Sequence, residues 1–248
     1  MSSYHSAVRG STLALTALLC GTYSPADAEH RPWVEAQKIS SAAVACYFVG
    51  RAFLNSPVNG QGEVVAYFTN INGIPGPLFK GGLGAASEKT AFFTLRSDVF
   101  STTSLPLNGD VAPAVVSAGK FNIYYNSNPN GDWSNPDTFS GGQPFLTSQP
   151  IASFTRPESL VLQILQTDSA TPPPFESITH HALTGTLLSS QSFVFNGQSY
   201  DLGVLMPDGI TVYETISNTG VAGVTGFPIG LAYAGHCLGV GSEDQDQQ

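Results

Sequence analysis

Residues 120–137 have the sequence KFNIYYNSNPNGDWSNPD, which changes character after Tyr125. The first part, Lys120 to Tyr125, is rich in aromatic and β-branched residues and predicts a β-strand. The second part, Asn126 to Asp137, consists almost wholly of Asn, Pro, Gly, Ser and Asp, the residues of turns and loops. An extended apolar pattern returns only at Ile151. A strand, a long polar loop and another strand predict an antiparallel β-protein.

Asn-Gly and Asp-Gly dipeptides mark tight turns along the chain, because these residues accept the positive φ angles of hairpin turns. They occur at Asn59-Gly60, Asn72-Gly73, Asn108-Gly109, Asn130-Gly131, Asn196-Gly197 and Asp208-Gly209. The apolar runs between turns predict about ten to twelve strands, at the spacing of barrels and sandwiches. The flanks of the last two dipeptides predict a three-strand meander over residues 192–216.

We therefore predict an all-β fold, a single antiparallel β-barrel that is lipocalin-like, calycin-like or a related closed barrel. The alternative is a two-sheet β-sandwich. One segment is ambiguous. Residues 156–166 follow a capping-box pattern that suits a helix, but the run is β-rich and bounded by turn residues. We favour a strand there.

The amount and distribution of charge argue against two classes of partner, nucleic acids and anionic membranes. Only 11% of the residues are charged, against roughly 25% in typical soluble domains, and the net charge is −9. No Lys or Arg follows Arg156. Nucleic-acid binding needs a basic footprint, so we predict no nucleic-acid partner. An anionic membrane surface would repel this chain for the same reason.

The N-terminal residues resemble a processing segment. Arg9 precedes the apolar run Leu13 to Cys20, and Ala26-Asp27-Ala28 fits a cleavage site before Glu29. The alternative is a short buried helix. We predict a signal peptide over 1–28, one barrel or sandwich domain over 29–241, and a disordered acidic tail over 242–248. This organisation predicts a secreted or periplasmic protein, with no integral membrane segment in the mature chain.

Two cysteines remain after Glu29, Cys46 and Cys237, each in a strand-like context near one end of the mature chain. In an oxidising compartment they predict one disulfide between the first and last strands. The alternative is a pair of free buried thiols.

The polar loop supplies the candidate binding residues. An indole on a loop can stack on a sugar or another flat ligand. The predicted ligand-binding residues are Trp133, Asn126, Asn128, Asp132, Asp137 and Tyr125. The alternatives are that Trp133 anchors the loop on the barrel and that the loop side chains bond their own backbone. We predict no cofactor and no metal; calcium is the alternative, because the loop partly matches an EF-hand template.

Two further groups of residues carry possible chemistry. His180-His181 and His236 are candidates for a metal site or an acid/base pair, but adjacent strand residues point to opposite faces. At most one of the pair therefore faces a given pocket. The second group comprises the acids Glu63, Glu88 and Asp98 and the bases Arg51 and Arg96. They either face one another inside the barrel or form ion pairs at its ends.

As function we predict non-catalytic binding of a small molecule or glycan at a loop of the barrel mouth. The main alternative is a cofactor-independent cyclase or isomerase acting on an apolar molecule. It requires a deep interior pocket lined by Tyr, Arg and Glu, and a filled interior would contradict it. A structural cell-surface or matrix protein is the second alternative. The sequence does not decide whether the protein is an enzyme. It also does not identify the ligand or the oligomeric state.

Overall fold

The computed structural model describes residues 37–56, 59–141, 149–165 and 177–241. The predicted signal peptide and acidic tail lie outside the described residues. The fourteen strands of the described residues are β1 Val44–Leu54, β2 Gly60–Ile71, β3 Phe93–Ser97, β4 Phe100–Ser104, β5 Val111–Val116, β6 Gly119–Tyr125, β7 Ala152–Arg156, β8 Ser159–Leu165, β9 Ser177–Gly185, β10 Leu187–Ser190, β11 Phe193–Phe195, β12 Gln198–Tyr200, β13 Ile210–Val224 and β14 Phe227–Gly239. One α-helix, α1, covers Leu202–Leu205, and two 3-10 helices cover Leu83–Ala85 and Pro136–Ser140.

Eight strands close into an antiparallel barrel. Following the hydrogen bonds, the ring runs β1, β2, β4, β5, β8, β9, β13, β14 and back to β1. The ring strands occur in chain order, with strands outside the ring inserted after β2, β5 and β9. The predicted all-β class and the choice of a barrel over a sandwich are confirmed. No helix among the described residues is long and apolar enough to cross a membrane.

Strands β3, β6, β7 and β10 lie outside the ring and extend one part of the barrel wall. Each is separated from a ring strand by only one or two residues of chain, such as Pro157 and Glu158 between β7 and β8. Proline lacks a backbone N–H and so interrupts a strand. Only the β7–β8 break contains a proline; the other three breaks fall at residues 98–99, 117–118 and 186. Counting each broken pair as two strands explains why fourteen strands form rather than ten to twelve. The strand interpretation of the ambiguous segment is confirmed as far as Leu165.

The predicted meander over residues 192–216 is only partly correct. Asn196 and Gly197 both adopt positive φ and join β11 to β12, as predicted. The middle strand is wrong after Tyr200, because Leu202–Leu205 is a helical turn. The third strand is present from Ile210 as part of β13, but it pairs with β9 and β14. The Asp201 side chain caps the helical turn by accepting a hydrogen bond from the Gly203 N–H, and Leu202 and Leu205 are both buried. The Asp201 cap and the burial of Leu202 and Leu205, which are three residues apart, outweigh the β-like composition of this segment.

A cap of aromatic rings packs against the extension strands. Phe93 of β3 lies 5.6 Å from Phe193, 5.1 Å from Phe195 and 5.3 Å from Tyr125 between ring centroids. The β11–β12 hairpin and α1 belong to the same buried hydrophobic cluster as side chains of the ring strands β1 and β2. Aromatic pairs at these separations add stability beyond the area they bury.

The predicted disulfide is confirmed. Cys46 and Cys237 are paired residues of β1 and β14, with Cα atoms 5.0 Å apart. The bond therefore joins the first and last strands of the ring. It is compatible with a secreted or periplasmic protein.

Candidate functional site: a cavity inside the barrel

The barrel encloses a cavity of about 960 Å³. Its wall is mostly apolar and includes the rings of Phe48, Phe68, Phe100 and Phe121. Tyr233 lies deep in this wall, whereas the exposed side chain of Leu107 lies at its outer part. The interior of a small eight-stranded barrel is either filled by side chains or holds one small ligand. A volume near 1,000 Å³ is that of a ligand site.

Strand alternation sets which side chains enter the cavity. Along one row of the wall, His181 of β9 is paired with Glu214 of β13, Glu214 with Gly235 of β14, and Gly235 with Phe48 of β1. A Cβ atom on Gly235 would lie 2.6 Å from the Phe48 ring. Gly50 plays the same part for the Tyr233 ring. The two glycines therefore make room for the aromatic wall.

Three polar side chains form a hydrogen-bonded chain in this wall. Ser159 Oγ lies 2.8 Å from His181 Nε2, and His181 Nδ1 lies 2.7 Å from Glu214 Oε1. His181 and Glu214 both line the cavity. A carboxylate can only accept, so Nδ1 donates to Glu214, and in the neutral imidazole Nε2 then accepts from the serine hydroxyl. The buried phenol of Tyr233 lies in the same wall, and burial, followed by the Glu214 charge, raises its pKa well above the usual value.

Arg156 is the cationic group of the cavity wall. It is only 5% exposed, and its NH1 group donates to the Ser117 carbonyl at 2.6 Å. The guanidinium lies 5.0 Å from the centre of the Phe100 ring. Its Nε and NH2 groups have no hydrogen-bond partner among the described residues. Burial lowers the pKa of Arg156, and the charges of Asp98 and Glu214 oppose that shift. Arginine stays protonated in proteins, so the wall holds a cation with free donors.

The predicted loop residues do not line this cavity. Trp133 is stacked on Phe139 at 4.8 Å, lies 5.9 Å from Tyr67, and carries the Arg51 guanidinium 4.8 Å above its ring. These contacts match the alternative in which Trp133 anchors the loop on the outer wall. Tyr125 packs against Phe93 and the β11–β12 hairpin instead of facing the loop.

The polar side chains of the loop bond mainly to the loop itself. Asn126 Oδ1 accepts from the Asn128 N–H at 2.9 Å, and Asp132 Oδ1 accepts from the Ser134 N–H at 2.9 Å. The backbone and hydroxyl hydrogen bonds of Ser134 lower the pKa of Asp132. Asp137 pairs with Arg96 at 2.7 Å. No group of three or more His, Cys, Asp or Glu that could hold a metal ion occurs within the described ranges.

The other ionisable residues predicted from sequence, apart from His181, do not join the hydrogen-bonded chain of Ser159, His181 and Glu214. Arg96 pairs with Glu63 at 3.0 Å, but neither residue lines the cavity. Of the adjacent histidines, His181 is buried and His180 is exposed, as strand alternation requires. His236 stacks on Tyr213 at 5.5 Å and does not line the cavity. Ser159, Glu214 and Arg156 were not among the site residues predicted from sequence, because no local motif distinguishes them.

Fold and site together define a closed eight-stranded barrel with a polar cluster in an apolar cavity. Comparison with protein-family models, curated proteins and solved structures found no match to this chain.

Proposed function

We propose that this protein binds an apolar small molecule inside the barrel and holds its carboxylate, or another oxygen-bearing head group, on Arg156. The observation that carries the proposal is a nearly buried guanidinium with two unshared N–H groups in the wall of a large apolar cavity. Leaving a buried charge without partners is costly. An anionic or carbonyl oxygen would satisfy those donors, so head-group recognition explains why the residue is there.

The free energies of apolar contact and of hydrogen bonding show which part of the site provides affinity and which part provides selectivity. Apolar contact contributes about 2.5 kcal/mol for each 100 Å² of ligand surface removed from water. A hydrogen bond to a charged group contributes about 1.5–3 kcal/mol. The apolar wall therefore supplies most of the affinity, and Arg156 selects the head group. This wall suits an apolar molecule better than a glycan, which narrows the function predicted from sequence. Secretion to an oxidising compartment remains part of the proposal.

Replacing Arg156 by Met tests the head-group role. For 11-(dansylamino)undecanoic acid, whose fluorescence reports transfer from water, we expect Arg156→Met to raise Kd about 10- to 100-fold, because a charge-assisted hydrogen bond is lost. The Kd of the corresponding alcohol should change much less. Arg51→Met is the matched control, since Arg51 lies on Trp133 and not in the cavity.

Urea unfolding of the Arg156→Met variant checks that the fold persists. Equal loss of affinity for acid and alcohol would show that Arg156 does not select a head group. Wild-type protein that binds neither probe would contradict the binding function itself.

A second candidate is the cofactor-independent cyclase or isomerase considered from sequence. Tyr233, Arg156 and Glu214 all line the cavity, which is the combination of residue types that this alternative requires. Mass spectrometry of apolar compounds before and after incubation with the protein separates the two candidates. Ligand recovered unchanged supports binding alone, whereas conversion supports catalysis.

A further inference from the structure

We propose that Ser159, His181 and Glu214 form an acyl-transfer triad that hydrolyses esters of apolar carboxylic acids. This inference rests on the proposed binding of an apolar molecule in the cavity. The distances of 2.8 Å from serine to histidine and 2.7 Å from histidine to glutamate fall within the range for a nucleophile, its base and the group that orients the base. Such triads are recognised by geometry and role, and their order in the chain varies.

Strand alternation places the serine on the cavity side of β8. Val161 and Gln163, two and four residues later, both line the cavity, while the intervening Leu160 and Leu162 are exposed. Ser159 begins the strand directly after the break at Pro157 and Glu158. Ser159 is half-buried and is not itself a cavity-lining residue, so it lies at the end of the inward row that Val161 and Gln163 continue.

Arg156 is the candidate group for stabilising the oxyanion. Its side chain donates to the carbonyl of Ser117, and Ser159 is the strand partner of the preceding residue, Val116. The guanidinium and the hydroxyl therefore lie on neighbouring positions of the same wall. Fixed donors aimed at the developing negative charge are among the largest contributions to acyl-transfer catalysis.

The reaction proceeds in two balanced halves. Ser159 Oγ attacks the ester carbonyl carbon while its proton moves to His181 Nε2. The bond from carbon to the alkoxy oxygen then breaks, and the alcohol leaves with that proton. Water adds to the acyl-serine as His181 takes a proton from it, and cleavage of the serine ester returns the proton to Oγ. One ester and one water give one acid and one alcohol.

A covalent probe and an ester substrate test the triad. A long-chain alkyl fluorophosphonate should add one phosphonyl group to the wild-type chain with loss of fluoride, at a peptide containing Ser159. Ser159→Ala should not be labelled, and its kcat for p-nitrophenyl octanoate should fall at least about 1,000-fold. His181→Gln should fall comparably, and Glu214→Gln should keep labelling at a reduced rate. Ser153→Ala is the control, because Ser153 donates to Asn122 instead of a histidine.

Binding of the dansyl probe separates this inference from the proposed function. Ser153→Ala, which lies outside the cavity wall, should bind it with unchanged Kd. A wild-type chain that binds the probe but is neither labelled nor hydrolytic contradicts the triad and leaves the binding function standing. A wild-type chain that does not bind the probe contradicts the binding function as well. Hydrolysis retained by Ser159→Ala also overturns the triad.

A different surface carries a second inference. Ring strands β8, β9, β13, β14 and β1 are adjacent, and we call their outward side the smooth face. Its exposed large apolar side chains, 38–49% accessible, are Tyr47, Val49, Leu160, Leu162, Ile164, Ile178 and Tyr213. A contiguous apolar patch rather than scattered residues marks an interaction site.

The smooth face is almost free of charge. Strands β8, β9 and β14 contain no Asp, Glu, Lys or Arg, and the one charged residue of β13, Glu214, lines the cavity. Arg51 at the β1 edge lies over Trp133. The whole chain carries a net charge of −9, so its charge is concentrated elsewhere.

We infer that the smooth face binds the same face of a second copy. A basic partner would find no exposed carboxylates there, and an anionic lipid surface would find a single basic residue, Arg51, which lies over Trp133. An uncharged face meets its own copy around a twofold axis without burying like charges. Because five of the eight ring strands curve around more than half of the barrel, a second copy contacts about three of them at once. Three strands spaced about 4.8 Å apart and about 20 Å long give roughly 300 Å² per copy, the size of a weak and transient contact.

Sedimentation over a wide range of protein concentration tests the dimer. We expect Leu162→Lys to raise the dimer Kd at least about tenfold, because the twofold axis brings two lysines into an apolar contact. Leu83→Lys is the control: Leu83 is 71% exposed and outside the smooth face. A wild-type chain that stays monomeric, or a dimer that Leu162→Lys leaves unchanged, contradicts the inference. Binding to zwitterionic lipid vesicles in place of self-association would assign the face to a lipid surface instead.

Discussion

Removing the disulfide between Cys46 and Cys237 is expected to lower the free energy of unfolding by about 5 kcal/mol. The bond closes a sequence separation of 191 residues, and the chain-entropy model relates stabilisation to the length of the closed loop. Both cysteines are buried, so replacement by alanine adds only a small packing loss. The measurement is urea unfolding of the Cys46→Ala/Cys237→Ala double variant against the oxidised wild type.

The strand pairing next to the disulfide should hold the barrel together without it. From Cys46 to Leu54, β1 stays in register with β14, so the double variant should still fold and still bind the dansyl probe. Reductant should destabilise the wild type and leave the double variant unchanged. An equal response of both proteins, or a loss below about 1 kcal/mol, would show that the link contributes little.

Replacing Trp133 by alanine is expected to cost about 3 kcal/mol of stability and to leave the affinity of the cavity for its ligand unchanged. The indole packs against Phe139, which is fully buried, and against Tyr67, and it carries the Arg51 guanidinium. None of these residues lines the cavity. Urea unfolding measures the first effect, and titration with the dansyl probe measures the second.

Leu83→Ala provides the comparison, because an exposed side chain with few neighbours should change stability by less than about 0.5 kcal/mol. Loss of ligand affinity in Trp133→Ala at unchanged stability would support the loop site predicted from sequence over the cavity. Loss of stability at unchanged affinity would assign the indole to anchoring the loop.

Local chemistry made part of this structure predictable. The Asn196-Gly197 turn follows from residues that tolerate positive φ, and the opposite exposure of His180 and His181 follows from strand alternation. The pairing of Cys46 with Cys237 followed because they are the only two of the three cysteines outside the predicted signal peptide. Where local signals conflicted, prediction was weaker: Leu202–Leu205 is β-like in composition, yet a single Asp201 cap and the burial of two leucines make it helical.

The cavity and its polar cluster belong to the tertiary structure alone. Ser159 and His181 are separated by 22 residues, and His181 and Glu214 by 33, with no spacing rule that links them. They meet because three strands pair in one register, and register depends on the sum of contacts over the whole wall. The sequence by itself determined a turn-rich, weakly charged β-barrel joined end to end by one disulfide. Which side chains face its interior, and that the interior stays open, were decided only when the ring closed.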